Sequence, residues 1–238
     1  MGNTWFQFKQ FRVEQQRSAL KVGTDGVLLG TWCDVSGMKR ILDVGTGTGL
    51  IALMLAQRSD AEVSAIEIDE NACADASFNF EKSQWSGRLK LLHGDFNQFQ
   101  DSQSQLFDLI VCNPPFFKNS LKSADPAASV ARHDVSLSLL QLIRGSWRLL
   151  HEHGKMAVIL PFEATIDFRE TARLEGFYLS RQTKVIPKTG KPAKRALLEF
   201  SRLAVYPAVD ELVILEEKDK YSERFIALTQ GFYLNVHQ

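Results

Sequence analysis

From residue 40 onward, short apolar runs alternate with longer stretches of helical periodicity, and few folds accept that alternation. RILDV (40–44) reads as a buried strand, followed by a glycine turn and the helix LIALMLAQRS (50–59). AEVSAIEID (61–69) reads as a second strand, and ENACADASFNFEKSQW (70–85) as a helix with acids in its first turn. RLKLLHGD (88–95), LFDLIVCN (106–113) and KMAVILP (155–161) continue the series of strands. SLSLLQLIRGSWRLL (136–150) is an amphipathic helix ending near Gly154, and another helix at about 163–175 precedes Gly176. Stretches 177–186 and 195–206, joined by PKTGKPAKR, read as an antiparallel hairpin at the sheet edge. Strands alternating with helices require an α/β fold. The expectation is seven strands, mostly parallel, with an antiparallel C-terminal hairpin and helices on both faces. The 238 residues suit one domain, divided here into a segment 1–35, a core 36–206 and an extension 207–238.

Composition excludes more than it selects. Formal net charge is zero, so any surface for a polyanion must be local. Cys33, Cys73 and Cys112 are scattered and odd in number, which argues against disulfides or a zinc finger. The first residues, MGNTWFQFKQFRVEQ, lack an apolar signal core, and no run of about 18 apolar residues exists to cross a membrane. A soluble, cytoplasmic protein is expected. His151 and His153 read as helix-end imidazoles favoured by the dipole, and no metal site is expected.

DVGTGTGL (43–50) joins a strand to a helix, where backbone approaches a ligand closely and open α/β sheets bind cofactors. A plain tight turn is the competing reading. A dinucleotide fold wants G-x-G-x-x-G, whereas Gly45, Gly47 and Gly49 are followed by Leu50. The sequence D-x-G-x-G-x-G resembles motif I of class I S-adenosylmethionine-dependent methyltransferases, which implies a Rossmann-like fold. It also implies a cofactor held by Asp43, Gly45, Thr46, Gly47 and Gly49. Glu67, about twenty residues on, stands where an acid accepts from ribose hydroxyls, with Ile68 beside it. A structural strand-end acid is the alternative. Asp69 reads as the cap of the next helix. Asp95 can accept from an adenine amino group while Phe96 lies on its ring, or Asp95 can simply form a turn.

The fourth strand runs into Asn113, Pro114, Pro115 and Phe116. The two prolines make a stiff turn with free carbonyls. The Asn113 amide oxygen and the Pro114 carbonyl can accept both hydrogens of an amine, and Phe116 offers a stacking face. That set orients a planar NH2 for direct attack on a sulfonium methyl, with positioning and electrostatics carrying the rate. N-P-P-F resembles motif IV of methyltransferases acting on adenine N6, cytosine N4 or glutamine N5. A stiffened loop with Phe116 in the core is the bland alternative. Cys112 should point away from Asn113 and reads as core, not as a nucleophile.

Several further motifs extend the resemblance to nearly the whole chain: F-K-Q-F (8–11), K-V-G-T-D-G (21–26), A-R-H-D (131–134) and P-A-K-R (192–195). Together they resemble the bacterial tRNA-valine adenine-N6 methyltransferases, which modify the adenosine beside the anticodon. The resemblance implies that Thr24 and Asp25 lie beside the cofactor's methionine end and that Lys21 faces the site. A helix start with Thr24 or Asp25 as N-cap is compatible with that. From Arg181 to Arg202 there are seven basic residues and one acid, whereas VDELVILEEKD (209–219) is acidic. A basic hairpin carrying Lys188, Lys191, Lys194 and Arg195 would engage phosphates; a solvated charge run is the alternative. Lys9 and Arg12, with the aromatics Trp5, Phe6, Phe8 and Phe11, can add stacking surface, or the rings can pack the segment onto the domain. Arg132 can contact a phosphate and His133 the base, or His133 and Asp134 can start a helix.

The expected activity is therefore N6-methylation of an adenosine in a tRNA anticodon loop by a monomer using S-adenosylmethionine. A glutamine N5-methyltransferase acting on release factors and a catalytically silent RNA-binding paralogue are the rivals. An NAD dehydrogenase is disfavoured by Leu50.

Overall fold

A computed structural model describes residues 3–102, 106–114 and 137–235. The chain opens with a small antiparallel hairpin, β1 (Trp5–Gln7) and β2 (Arg12–Glu14), then the helix α1 (Thr24–Trp32). The expected alternation follows as β3 (Arg40–Val44), α2 (Leu50–Arg58), β4 (Glu62–Glu67), α3 (Glu70–Lys82) and β5 (Leu89–His93). Next come α4 (Phe96–Ser102), β6 (Phe107–Cys112), α5 (Leu139–Leu149), β7 (Leu150–Pro161) and α6 (Thr165–Leu174). The chain closes with β8 (Tyr178–Lys188), β9 (Arg195–Ser201), β10 (Ala208–Leu215) and α7 (Glu223–Thr229).

The main sheet has eight strands, ordered β10-β8-β9-β7-β6-β3-β4-β5, and only β9 runs against the rest. The eighth strand corrects the expected seven. β10 comes from the acidic stretch read as an appendage; it pairs parallel with β8 along the edge, and its Leu212 is buried. Asp210 and Glu211 on it are paired with Arg224 and Lys184, so its acids are compatible with a strand.

Both faces of the sheet are apolar, as strands with helices on either side must be. Side chains alternate between them: Ile41, Leu109, Val111 and Ala157 join the core under α1, α2 and α3, while Leu42, Val44, Ile110 and Cys112 join the core under α5 and α6. Cys112 is buried as expected, and burial pushes its thiol well above the ordinary range. Asp69 caps α3 by accepting from the Ala72 N–H at 2.7 Å, and Ser138 with Gln141 forms a capping box on α5. β7 starts at Leu150, earlier than expected, so His151 and His153 are exposed strand residues, not helix-end ones. Among the described residues, no helix is long and apolar enough to cross a membrane, and no three His, Cys, Asp or Glu side chains gather as metal ligands.

Candidate active site

β3 lies between β4 and β6, with Val44 level with Ile66 on one side and Cys112 on the other. Gly45, Glu67 and Asn113 therefore leave three neighbouring parallel strands at the same height. This is the crevice where the strand order reverses, the usual ligand site of an open α/β sheet.

The glycine loop is held from below. Gly45 and Thr46 both donate their N–H to the Ile66 carbonyl, at 2.9 and 3.1 Å. Gly45 and Gly47 have φ of 68° and 57°, which only glycine takes without strain, and a Cβ built on either meets nothing within 4 Å. Open space thus faces the backbone at both. Gly49 has a different reason: its φ is 81°, and a Cβ would lie 2.4 Å from the Phe80 ring.

Asp43 is fully buried beneath the loop. Its Oδ2 accepts from Thr46 Oγ1 at 2.6 Å and from the Ala52 N–H at 3.2 Å, while Oδ1 has no partner among the described residues. Burial raises its carboxyl pKa to about 7, against the lowering effect of those two hydrogen bonds and with a further rise from nearby Glu67. An orphaned buried carboxylate oxygen is costly, and a cationic ligand group above the loop would satisfy it.

Glu67 is more structural than expected. Its Oε2 accepts from the Gly47 N–H at 2.8 Å, and Oε1 accepts from Ile68 and Asp69 at 2.8 and 2.9 Å. Three of about four lone-pair sites are taken, leaving one on Oε2 for a ligand hydroxyl. Ile68 beside it is 42% exposed, an apolar surface at the rim of the crevice. Asp95 forms the turn into α4: its Oδ1 accepts from the Asn97 backbone and side chain, leaving Oδ2 without a partner among the described residues. Phe96 corrects an expectation. Its ring is buried against Gly145 of α5, where an added Cβ would lie 2.4 Å away, so it has no free face for a base.

Asn113 is half-buried and Pro114 buried at the end of β6. Pro115, Phe116, Arg132 and His133 lie outside the described residues.

The N-terminal candidates are largely engaged within the protein. Lys21 was expected to face the site; instead its ammonium donates to the Gln15 carbonyl and to that of Ser18 at 2.8 Å. Gly23, not Thr24 or Asp25, is the N-cap of α1. Asp25 accepts from Arg195 Nε at 2.8 Å, tying the start of α1 to the start of β9. Lys9 donates to the Gln230 carbonyl, and Arg12 pairs with Glu14 and stacks over Trp5. Phe8 and Phe11 are buried in a ring cluster with Trp85, Phe232 and Tyr233, so the packing alternative holds for them.

The basic hairpin shrinks in the same way. Arg181 stacks on Trp32 and pairs with Glu199; Arg202 stacks on Trp147 just past the end of β9, at the amino edge of the sheet. Lys184 and Lys188 pair with Glu211 and Asp219. Only Lys191 and Lys194, of the seven, have side chains without a partner among the described residues. Both are exposed, in the loop that joins β8 to β9 at the carboxyl edge of the sheet, where Arg195 is level with Pro161 at the end of β7.

Known proteins resemble this chain over most of its length. The family described as "Methyltransferase small domain" matches residues 19–164. A tRNA1(Val) (adenine(37)-N6)-methyltransferase of Bacteroides fragilis is 43% identical, covering 99% of this chain and 100% of that protein. One of the same description from Trichodesmium erythraeum is 45% identical, covering 98% and 99%. The chain belongs to this methyltransferase family. A solved structure, a predicted O-methyltransferase from Agrobacterium tumefaciens, superposes with a TM-score of 0.66 at 18% identity, covering 87% of this chain and 96% of that one; it attests the methyltransferase fold. The sequence reading passed over two buried polar residues of this methyltransferase, Asp75 and Asn79 of α3. Their signal was present: two polar side chains four apart on the face that also carries Ala72, Ala76 and Phe80.

Proposed function

We propose that this chain transfers a methyl group from S-adenosylmethionine to N6 of an adenine in tRNA, the adenosine at position 37 of tRNA1(Val). The carrying observation is the register of β3, β4 and β6, by which the glycine loop, Glu67 and Asn113 start level and adjacent.

The crevice fits the cofactor: open space above Gly45 and Gly47, the unpartnered Asp43 Oδ1, the remaining Glu67 lone pair and the exposed Ile68 match a molecule with a cationic amino acid end, a ribose and an apolar base. When bound, S-adenosylmethionine supplies an electrophilic methyl on a sulfonium. Asn113 and Pro114 perform the rest. The Asn113 amide oxygen and the Pro114 carbonyl accept the two hydrogens of the adenine amine, which fixes the nitrogen and turns its lone pair out of the ring. Pro114 brings no N–H to compete for those acceptors, and its fixed φ keeps the turn stiff. Pro115 would keep that turn rigid and Phe116 stack the base. No covalent intermediate with the protein is needed: the bond from methyl to sulfur would break as the bond to N6 forms, leaving a neutral thioether, and the surplus proton on N6 would pass to solvent. Lys191 and Lys194 contact RNA phosphates in this reading, with Arg132 and His133 as further candidates. In this role the enzyme works in the cytoplasm as a monomer and uses no metal.

Asn113→Ala tests the mechanism. It should leave cofactor affinity within about twofold and reduce methyl transfer by about a hundredfold or more, the usual loss when one preorganised polar contact to the reacting group is removed. Retained turnover removes Asn113 from the chemistry.

A further inference from the structure

Asn79 sits near the C-terminal end of α3 and is 2% exposed. Its side chain behaves like a peptide group inserted between two segments. Oδ1 accepts from the Glu14 N–H at 2.7 Å, and Nδ2 donates to the Glu14 carbonyl at 2.8 Å and to the Thr48 carbonyl at 2.9 Å. Thr48 belongs to the glycine loop, and Glu14 to the N-terminal strap that leads into α1. One turn earlier, Asp75, 3% exposed, accepts with Oδ2 from the N–H groups of Arg17 and Ser18 at 2.9 and 2.8 Å. The strap then continues the chain of contacts: Gln15 Oε1 accepts from Val22, and the carbonyls of Gln15 and Ser18 hold the Lys21 ammonium. Directly beneath, Phe80 packs against Gly49 with no room for a Cβ between them.

We infer that Asn79 is a positioning residue that locks the N-terminal strap (14–22) to the cofactor loop, so that the cofactor loop and the strap leading to Thr24 and Asp25 order together. The inference rests on the proposed use of S-adenosylmethionine. Three directed bonds make the difference between Asn79 and a filler of the same volume. Severing them leaves the Thr48 carbonyl, the Glu14 N–H and the Glu14 carbonyl without a partner among the described residues. The loop then loses one of its supports, alongside those from Asp43 and Glu67. Asp75 acts on the strap alone, so the two residues separate coupling from simple anchoring.

The test is hydrogen exchange of the full chain, with and without S-adenosylhomocysteine, alongside binding of that ligand. In the wild type, ligand should slow exchange at the amides of Glu14, Gln15, Arg17 and Ser18. Asn79→Ala should abolish that ligand-dependent slowing and raise the dissociation constant about tenfold, the size expected for lost buried hydrogen bonds. Without ligand, the same variant should speed exchange in residues 45–49 as well as in the strap. Asp75→Ala should speed exchange in the strap and leave residues 45–49 unchanged in the unliganded protein. It keeps the proposal testable if Asn79→Ala does not fold, because its strap, loosened but still bonded to Asn79, should still slow at Glu14 on binding. Tight ligand binding with no change at Glu14 to Ser18 overturns this inference alone. No binding by the wild type overturns the cofactor reading and the inference with it.

Discussion

At the residue scale, the most informative group is Asp43. A carboxyl raised to about 7 in the folded protein and ordinary in the unfolded chain makes folding bind a proton between those values. Its stabilising contribution is complete below about 4, falls as pH rises, and levels off above about 7. A cationic ligand beside Oδ1 favours the ionised form, so binding should release a proton at pH 6 and not at pH 8. Calorimetric titration with S-adenosylmethionine should therefore show affinity rising with pH by up to about tenfold per unit until about pH 7, then flattening. Asp43→Asn should bind more weakly and lose that slope. A wild-type profile as flat as the variant's would show that the orphan oxygen does not meet the cofactor.

At the element scale, α3 decides how closely the loop can sit. Gly49→Ala meets the Phe80 ring and an unfavourable φ of 81° together. Thermal or chemical unfolding should show a loss of about 2 to 4 kcal/mol, from left-handed strain plus overpacking. Gly45→Ala, with the same sign of φ but open space at its Cβ, should lose only the strain, about 1 to 2 kcal/mol. Equal losses would mean that Phe80 yields. Elements of this kind were also the most legible in the sequence. RILDV followed by three glycines, and LIVCN followed by two prolines, carry their meaning locally, because the turn chemistry is written in the residues that make the turn. Phe96 was not legible: one residue past a strand and its turn, parity no longer tells which way a ring points, and Gly145, 49 positions later, receives it. β10 was missed because its acids masked a strand whose cationic partners, Lys184 and Arg224, lie on other elements and meet it only in the fold.

At the scale of the whole molecule, the neutral total charge is distributed by pairing. Arg181, Lys184, Lys188, Arg195 and Arg202 looked like an RNA surface in sequence, yet each has a carboxylate or an aromatic face inside the protein. Pairing depends on tertiary neighbours, which is why composition overstated the basic face. The electrostatic grip on RNA should then be small and local. Replacing Lys191 and Lys194 by alanine should raise KM for tRNA, reduce the salt dependence of binding by about two counterions, and leave cofactor affinity unchanged. An unchanged salt slope would move the RNA contact elsewhere. The expectation for Lys191 and Lys194 depends on what accepts the methyl group. The direct measurement is transfer of labelled methyl from S-adenosylmethionine to total tRNA, and separately to total protein, from a strain lacking this enzyme, with the product mapped by nuclease digestion and mass spectrometry. N6-methyladenosine at position 37 of tRNA1(Val), and no label in protein, is the predicted result; label confined to protein glutamine, or to another nucleotide, would contradict it.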